Sequence, residues 1–297
     1  MSNITIIGEG AWGRALGEVA RKAGHEVHFW SRQQPVSPAN SDAFILAVPA
    51  QATREVLAKL NLKSGVLISA AKGFERSSGK TMQDVVTEFV PQAEFYALSG
   101  PSFAADVTMG LPTAVTLAGP TLEKAHHWAE QLSIPTFRIY PSDDVKGVEI
   151  GGAMKNVLAI ACGIGDGQGM GESARASLVT RGFAELARYA RKSGAKPETL
   201  MGLSGFGDLQ LTCSSGKSRN YSYGLAIGKG ARPQQALEAS KGVVEGAFTA
   251  QIAAKLAHQI GVDMPIVDAV TAIIDGGSKP GDEIKKLLGR PVRPEHE

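Results

Sequence analysis

The tightest constraint on this chain lies at its start. Ile4-Thr5-Ile6-Ile7 is a short β-branched run, and Gly8-Glu9-Gly10-Ala11-Trp12-Gly13 follows it directly. A helical stretch, Arg14 to Lys22, comes next and stops at Gly24. Strand, glycine turn and helix in this order form a built anion site rather than an ordinary loop. Gly8 permits the tight turn, Gly10 presents no side chain to an approaching pyrophosphate, and Gly13 lets helix and strand pack closely. The helix N-terminus then offers unpaired N–H groups to the anion. The turn from Gly8 through Gly10, Ala11 and Trp12 to Gly13 is therefore the candidate dinucleotide-binding stretch. A glycine-rich turn without a ligand is the alternative.

A second strand, Glu26-Val27-His28-Phe29-Trp30, ends in Ser31-Arg32. A carboxylate for the ribose hydroxyls is expected near this point, about 20 residues after the glycines. An arginine in its place welcomes a 2′-phosphate, so NADP(H) is expected to serve at least as well as NAD(H). The alternative is that Arg32 is a solvated surface cation. The stretch from Gln33 to Ser41 is too short for the helix and strand that a doubly wound sheet usually carries here, yet Ala43-Phe44-Ile45-Leu46-Ala47-Val48 reads as a buried parallel strand. In the strand order 3-2-1-4-5-6 the missing strand is an edge, and its loss leaves the central pairings intact.

Strand patterns recur at 64–71, 95–98 and 113–118, with helical stretches between them. That alternation predicts a mainly parallel sheet with ligands at the carboxyl ends of its strands. Lys72 and Gly100 both fall at such ends. From about Asp143 the helical period takes over, as in Phe183, Leu186, Ala187 and Ala190. The expected architecture is an α/β dinucleotide-binding domain over 1–142, a Rossmann-like doubly wound sheet lacking one edge helix–strand unit, and an all-α substrate and catalytic domain over 143–297. Two domains agree with a length of 297 residues.

Charge excludes some partners. The 31 Lys and Arg nearly balance the 29 Asp and Glu, which argues against nucleic acid or a membrane surface. Cys162 and Cys213 are far apart in sequence, the histidines make no H-E-x-x-H pattern, and no metal is expected. No basic leader precedes the first apolar run, and no run of about 18 apolar residues occurs. A cytoplasmic protein is the expectation.

Four stretches together are more specific than any of these signals. They are Gly8 to Gly13 with Trp12, Ser69-Ala70-Ala71-Lys72-Gly73, Ser99-Gly100-Pro101-Ser102-Phe103-Ala104, and Gly151-Gly152-Ala153-Met154-Lys155-Asn156 with the later Gly205-Phe206-Gly207-Asp208-Leu209 to Ser218-Arg219-Asn220. In this order and spacing they resemble the bacterial-type NAD(P)-dependent sn-glycerol-3-phosphate dehydrogenases over nearly the whole chain. The resemblance implies interconversion of glycerol 3-phosphate and dihydroxyacetone phosphate, feeding phospholipid synthesis. Such an oxidation of a secondary alcohol needs an acid–base group, donors around the developing oxyanion, and a grip on the phosphate.

The resemblance places the acid–base lysine at Lys155, accompanied by Asn156. Burial and a neighbouring cation such as Lys72 would lower the Lys155 pKa, while Asp208 would raise it. Asp208 and Thr212, spaced to share a helix face, would line the substrate hydroxyls. Ser218, Arg219 and Asn220 would hold the phosphate, with Arg219 also reaching the cofactor. Lys72, Gly100 and Ser102 match substrate contacts, Lys72 also a cofactor contact, and Ala104, Val243 and Glu245 match cofactor contacts. The plain alternatives are a surface lysine, a helix-capping aspartate, a solvated basic loop and, for Glu245, a helix N-terminal acid. Gly163, Gly165, Gly167, Gly169 and Gly171 read as a flexible or structural connection between two helices. Helical second domains of this type often dimerise, which leaves a homodimer open.

One departure stands out. The family usually carries an extra helix–strand–helix between the counterparts of Arg32 and Ser41, and its absence bears on the adenine pocket. Two rivals remain at this point. One is a hydroxyacid- or ketopantoate-type reductase, which would not need the phosphate clamp. The other is a nucleotide-sensing protein without activity.

Overall fold

A computed structural model describes residues 1–31, 41–240, 242–292 and 294. Its contacts divide the chain into two units, Met1–Gly152 with Glu198–Asp208, and Ala153–Pro197 with Leu209–Glu297.

The first unit is built on strands β1 (Asn3–Ile7), β2 (Glu26–Trp30), β3 (Ala43–Leu46), β4 (Ser64–Ser69), β5 (Gln92–Ser99), β6 (Thr113–Ala118) and β7 (Phe137–Ser142). Between them lie α1 (Ala11–Lys22), α2 (Ala50–Leu60), α3 (Met82–Phe89), α4 (Ala104–Thr108) and α5 (Leu122–Leu132). The seven strands form one sheet in the order β2-β1-β3-β4-β5-β6-β7. All neighbours pair in parallel except β5 and β6. Strand β2 is the edge, which is where the expected loss of a helix–strand unit leaves it. Strand β7 was not legible as a strand: Phe137-Arg138-Ile139-Tyr140 alternates buried and exposed, but proline follows after only four residues.

Period-2 alternation divides the central strands between two cores. Ile4, Ile6, Ile45, Ile68 and Leu98 face one side with Leu16 and Val19 of α1. Ile7, Phe44, Leu46, Leu67 and Phe95 face the other with Val56 and Leu57 of α2 and Val85 of α3. Burial on both faces is what near-continuous apolar strands require.

Among the described residues after Ser142 every element is helical. These are α6 (Val145–Gly167), α7 (Glu172–Lys192), α8 (Pro197–Met201), a π-helical turn (Leu203–Gly207), α9 (Asp208–Cys213), α10 (Arg219–Gly228), α11 (Pro233–Glu238), α12 (Glu245–Gln259), α13 (Pro265–Ile274) and α14 (Pro280–Leu288). Helix α6 has 23 residues, and an 18-residue window within it has a mean hydropathy of 1.3, long and apolar enough by composition to cross a membrane although Glu149, Lys155 and Asn156 interrupt the apolar run. Its apolar window is 94% buried in protein, the state of a core helix.

The second unit contains a buried acid. Glu185 on α7 accepts the backbone N–H of Ile266 at 2.8 Å and of Val267 at 3.3 Å, and so caps α13, whose own N-cap Met264 has no side-chain acceptor. Burial pushes its carboxyl from 4.5 up to about 7, although those N–H groups favour the anion. The native state therefore binds this proton more tightly than the unfolded chain. Stability from this group is complete below the unfolded value and is lost as pH rises through about 7. Glu185→Gln keeps an acceptor and has no charge to desolvate. At about pH 8 it should be more stable than the parent by on the order of 1–3 kcal/mol, and the gain should vanish near pH 4. Thermal melts at the two pH values measure this, and an equal difference at both would contradict it.

Candidate functional site

The glycine turn is shaped as its sequence demands. Gly8 has φ 107°, and a Cβ there would lie 2.9 Å from Val48 Cγ1. A Cβ on Gly13 would lie 1.9 Å from the Gly8 carbonyl oxygen, so helix and turn touch backbone to backbone. A Cβ on Gly10 would meet no protein atom within 4 Å, so open space lies over the turn. Helix α1 starts from Gly10 with no side-chain cap and no acid in its first turn. Its first N–H groups are thus available to an anion. Trp12 Nε1 and Ser31 Oγ are buried and have no hydrogen-bond partner among the described residues. The open space at Gly10 and the uncapped helix fit a dinucleotide diphosphate. Arg32, the expected 2′-phosphate partner, lies outside the described residues.

A second cluster of the first unit gathers at the strand ends. Lys72, after β4, donates from Nζ to the Gly100 carbonyl at 2.9 Å and to Asp208 Oδ2 at 2.8 Å. Ser102 Oγ donates to the same Gly100 carbonyl at 3.0 Å. Ala104 opens α4 just beyond. Asp208 is 1% exposed, and the Lys72 ammonium helps to offset the cost of burying its carboxylate. The π-helical turn immediately before Asp208 delivers it, an irregularity of the kind that often re-aims functional side chains.

The loop carrying Lys72 is clamped from α2, through pairings that no sequence pattern foretells. Gln51 donates to the Phe74 carbonyl at 2.7 Å and accepts the Arg76 N–H at 2.8 Å. Arg54 grips the buried Glu75 through two bonds, at 2.6 and 2.8 Å. That pairing holds the Glu75 carboxyl below its ordinary value. Gln51 and Arg54 lie 20 or more residues from their partners, and no local pattern connects them.

In the second unit, Lys155 on α6 is 5% exposed and donates to Thr212 Oγ1 on α9 at 2.9 Å. Asn156 Oδ1 accepts from Asn220 Nδ2 at 2.9 Å, and Asn220 Oδ1 accepts the Gly246 N–H at 2.9 Å. Ser218 caps α10, its Oγ accepting the Tyr221 N–H at 3.2 Å. Arg219, the first residue of α10, is exposed. Val243 is 36% exposed, and Glu245 is the first residue of α12, with only part of its surface exposed.

Helix α10 is held on α6 by backbone contact, which corrects the reading of the glycine series as a connection. Gly163, Gly165 and Gly167 lie inside α6, and only Gly169 and Gly171 lie between helices. A Cβ on Gly163 would stand 2.1 Å from the Tyr221 carbonyl oxygen, and one on Gly224 would stand 2.1 Å from that of Ile160. Small residues at such a crossing let two helices approach to backbone distance. Asp166 on α6 then accepts from Tyr221 Oη at 2.5 Å and from Arg175 at 2.7 Å. This crossing fixes Ser218, Arg219 and Asn220 relative to Lys155 and Asn156.

Lys72, Gly100, Ser102 and Asp208 therefore form one set. Lys155, Thr212, Asn156 and Asn220, with Arg219 beside Asn220, form another.

Comparison with known proteins places the whole chain in one family. The model of the NAD-dependent glycerol-3-phosphate dehydrogenase C-terminus matches residues 144–285. That of the N-terminus matches in two pieces, 3–39 and 35–125. A glycerol-3-phosphate dehydrogenase (NAD(P)+) of Methylobacterium radiotolerans is 47% identical over 326 residues, covering 98% of each chain. One from Brucella ovis is 43% identical over 328 residues, covering 99% of each. The crystal structure of glycerol-3-phosphate dehydrogenase from Coxiella burnetii superposes with a TM-score of 0.90 at 32% identity, covering 97% of this chain and 99% of that one. Both alignments are longer than this chain of 297 residues, so the relatives carry residues that it lacks. The split N-terminal match puts that difference near 35–39. The chain belongs to the NAD-dependent glycerol-3-phosphate dehydrogenase family.

Proposed function

We propose that this protein interconverts sn-glycerol 3-phosphate and dihydroxyacetone phosphate, feeding glycerophospholipid synthesis. The observation that carries the reading is Lys155, a buried lysine of α6 whose ammonium is held on the Thr212 hydroxyl. In reduction Lys155 gives a proton to the carbonyl oxygen of the triose phosphate; in oxidation it takes the hydroxyl proton back. Thr212 aims its Nζ, and Asn156 stands beside it in the chain. Lys72 and Asp208 hold each other and present a neutralised pair to the substrate hydroxyls, with Gly100 and Ser102 as polar neighbours. Arg219 supplies a planar fork for the phosphate, with Ser218 and Asn220 at its sides.

The turn Gly8–Gly13 with Ala11 and Trp12 would hold NADP(H) or NAD(H), together with Arg32, Lys72, Ala104, Arg219, Val243 and Glu245. When bound, the nicotinamide supplies or accepts the hydride. Residues 1–142 serve the nucleotide, and 143–297 supply the acid–base group and the phosphate grip. The same reading has a cytoplasmic protein that acts on a small phosphorylated molecule without nucleic acid or membrane, with dimerisation a matter for sedimentation.

Ligand protection tests the substrate class. Glycerol 3-phosphate at about 100 times its dissociation constant should stabilise the protein by about 2.7 kcal/mol, read as a rise in melting temperature. Ketopantoate, a carboxylate without phosphate, should leave the melt unchanged. A shift with ketopantoate and none with glycerol 3-phosphate would overturn the reading.

A further inference from the structure

The two ends of the Asn220 carboxamide are both engaged by protein. Nδ2 donates to Asn156 Oδ1 and Oδ1 accepts the Gly246 N–H, each at 2.9 Å. Gly246 is the second residue of α12 and follows Glu245. The α12 N-cap, Val244, offers no side-chain acceptor, so Asn220 satisfies a first-turn N–H that the helix cannot satisfy itself. The fit is close. A Cβ on Gly246 would lie 2.6 Å from the Asn156 carbonyl oxygen and 2.8 Å from Asn220 Oδ1. The other end of the same segment rests on the preceding residue of α10. Gly242 has φ 111°, and a Cβ there would stand 2.9 Å from Arg219 Nη1. Asn220 thus bonds Gly246 and the Arg219 guanidinium lies close over Gly242, on either side of Val243 and Glu245.

We infer that Asn220 is a positioning residue for the cofactor: as a borrowed N-cap of α12 it fixes the segment Gly242–Gly246. This rests on the assignment of Val243 and Glu245 to the cofactor made above. It gives Asn220 a task that a phosphate ligand alone would not have, and one that is felt before any substrate arrives.

The test is the NADPH dissociation constant of the substrate-free, full-length protein, read by fluorescence titration beside the substrate KM. Asn220→Ala leaves the Gly246 N–H without its acceptor and should weaken NADPH about tenfold. Asn220→Asp keeps an acceptor for that N–H and should recover part of the loss, whereas a merely space-filling role would not separate these two variants. If the alanine variant does not fold, Asn220→Ser, with a shorter acceptor, should still weaken NADPH. An unchanged NADPH constant with a raised substrate KM would overturn the inference and leave Asn220 a phosphate ligand only. Glu245→Ala separates the two levels. If it weakens NADPH while the Asn220 variants do not, the capping role fails and the cofactor assignment stands. If it has no effect, the assignment fails and the inference with it.

Discussion

Replacing Lys155 with methionine should lower kcat by about 10²–10⁴-fold, the usual contribution of a positioned acid–base group. Methionine is the informative substitution because Lys155 is 5% exposed and its aliphatic stem is packed in α6. A thioether of similar length keeps that packing and removes the proton carrier, along with the bond to Thr212. The NADPH dissociation constant should remain that of the parent, since Lys155 is not assigned to the cofactor. A loss of kcat below about tenfold would mean that another group moves the proton. Equal losses in cofactor affinity and kcat would mean that the variant had disturbed the fold.

The second large effect should come from adding one methyl group at Gly13. The Cβ of Gly13→Ala would be placed 1.9 Å from the Gly8 carbonyl oxygen and 3.2 Å from the Ala47 Cβ. The first neighbour is backbone and cannot rotate away. Either the start of α1 lifts from β1 or the Gly8 turn opens, and both displace the N–H groups that face the diphosphate. Cofactor affinity should fall more than tenfold, with a loss of about 1–3 kcal/mol of stability from overpacking. Gly10→Ala is the contrast. Its Cβ meets no protein atom within 4 Å, so stability should hold while cofactor binding weakens. Equal behaviour of the two variants in stability would show that the close approach at Gly13 is not what holds the turn.

What could be read from sequence follows from how local each signal is. The Ile4–Gly13 stretch carries strand, turn and helix N-terminus within one short window, and each glycine has the environment expected of it. The edge position of β2 was likewise deducible, because a missing helix–strand unit can be absorbed only where no central pairing is lost. Lys72 and Gly100 fall at strand ends because the strand patterns before them were plain. Pairings across long separations were hidden. The clamp from Gln51 and Arg54 onto the Lys72 loop, and the hold of Asn220 on Gly246, join residues whose spacing has no period. The glycines of α6 were misread for the same reason. Alternating glycines look like a linker until the second helix that presses on Gly163 is in place. Strand β7 was hidden because Pro141 follows only four alternating residues.

The most direct test is consumption of NADPH by the purified protein with dihydroxyacetone phosphate, run beside NADH and beside ketopantoate. The account predicts loss of NADPH absorbance with the triose phosphate and none with ketopantoate. Turnover of ketopantoate with an inert triose phosphate would contradict it.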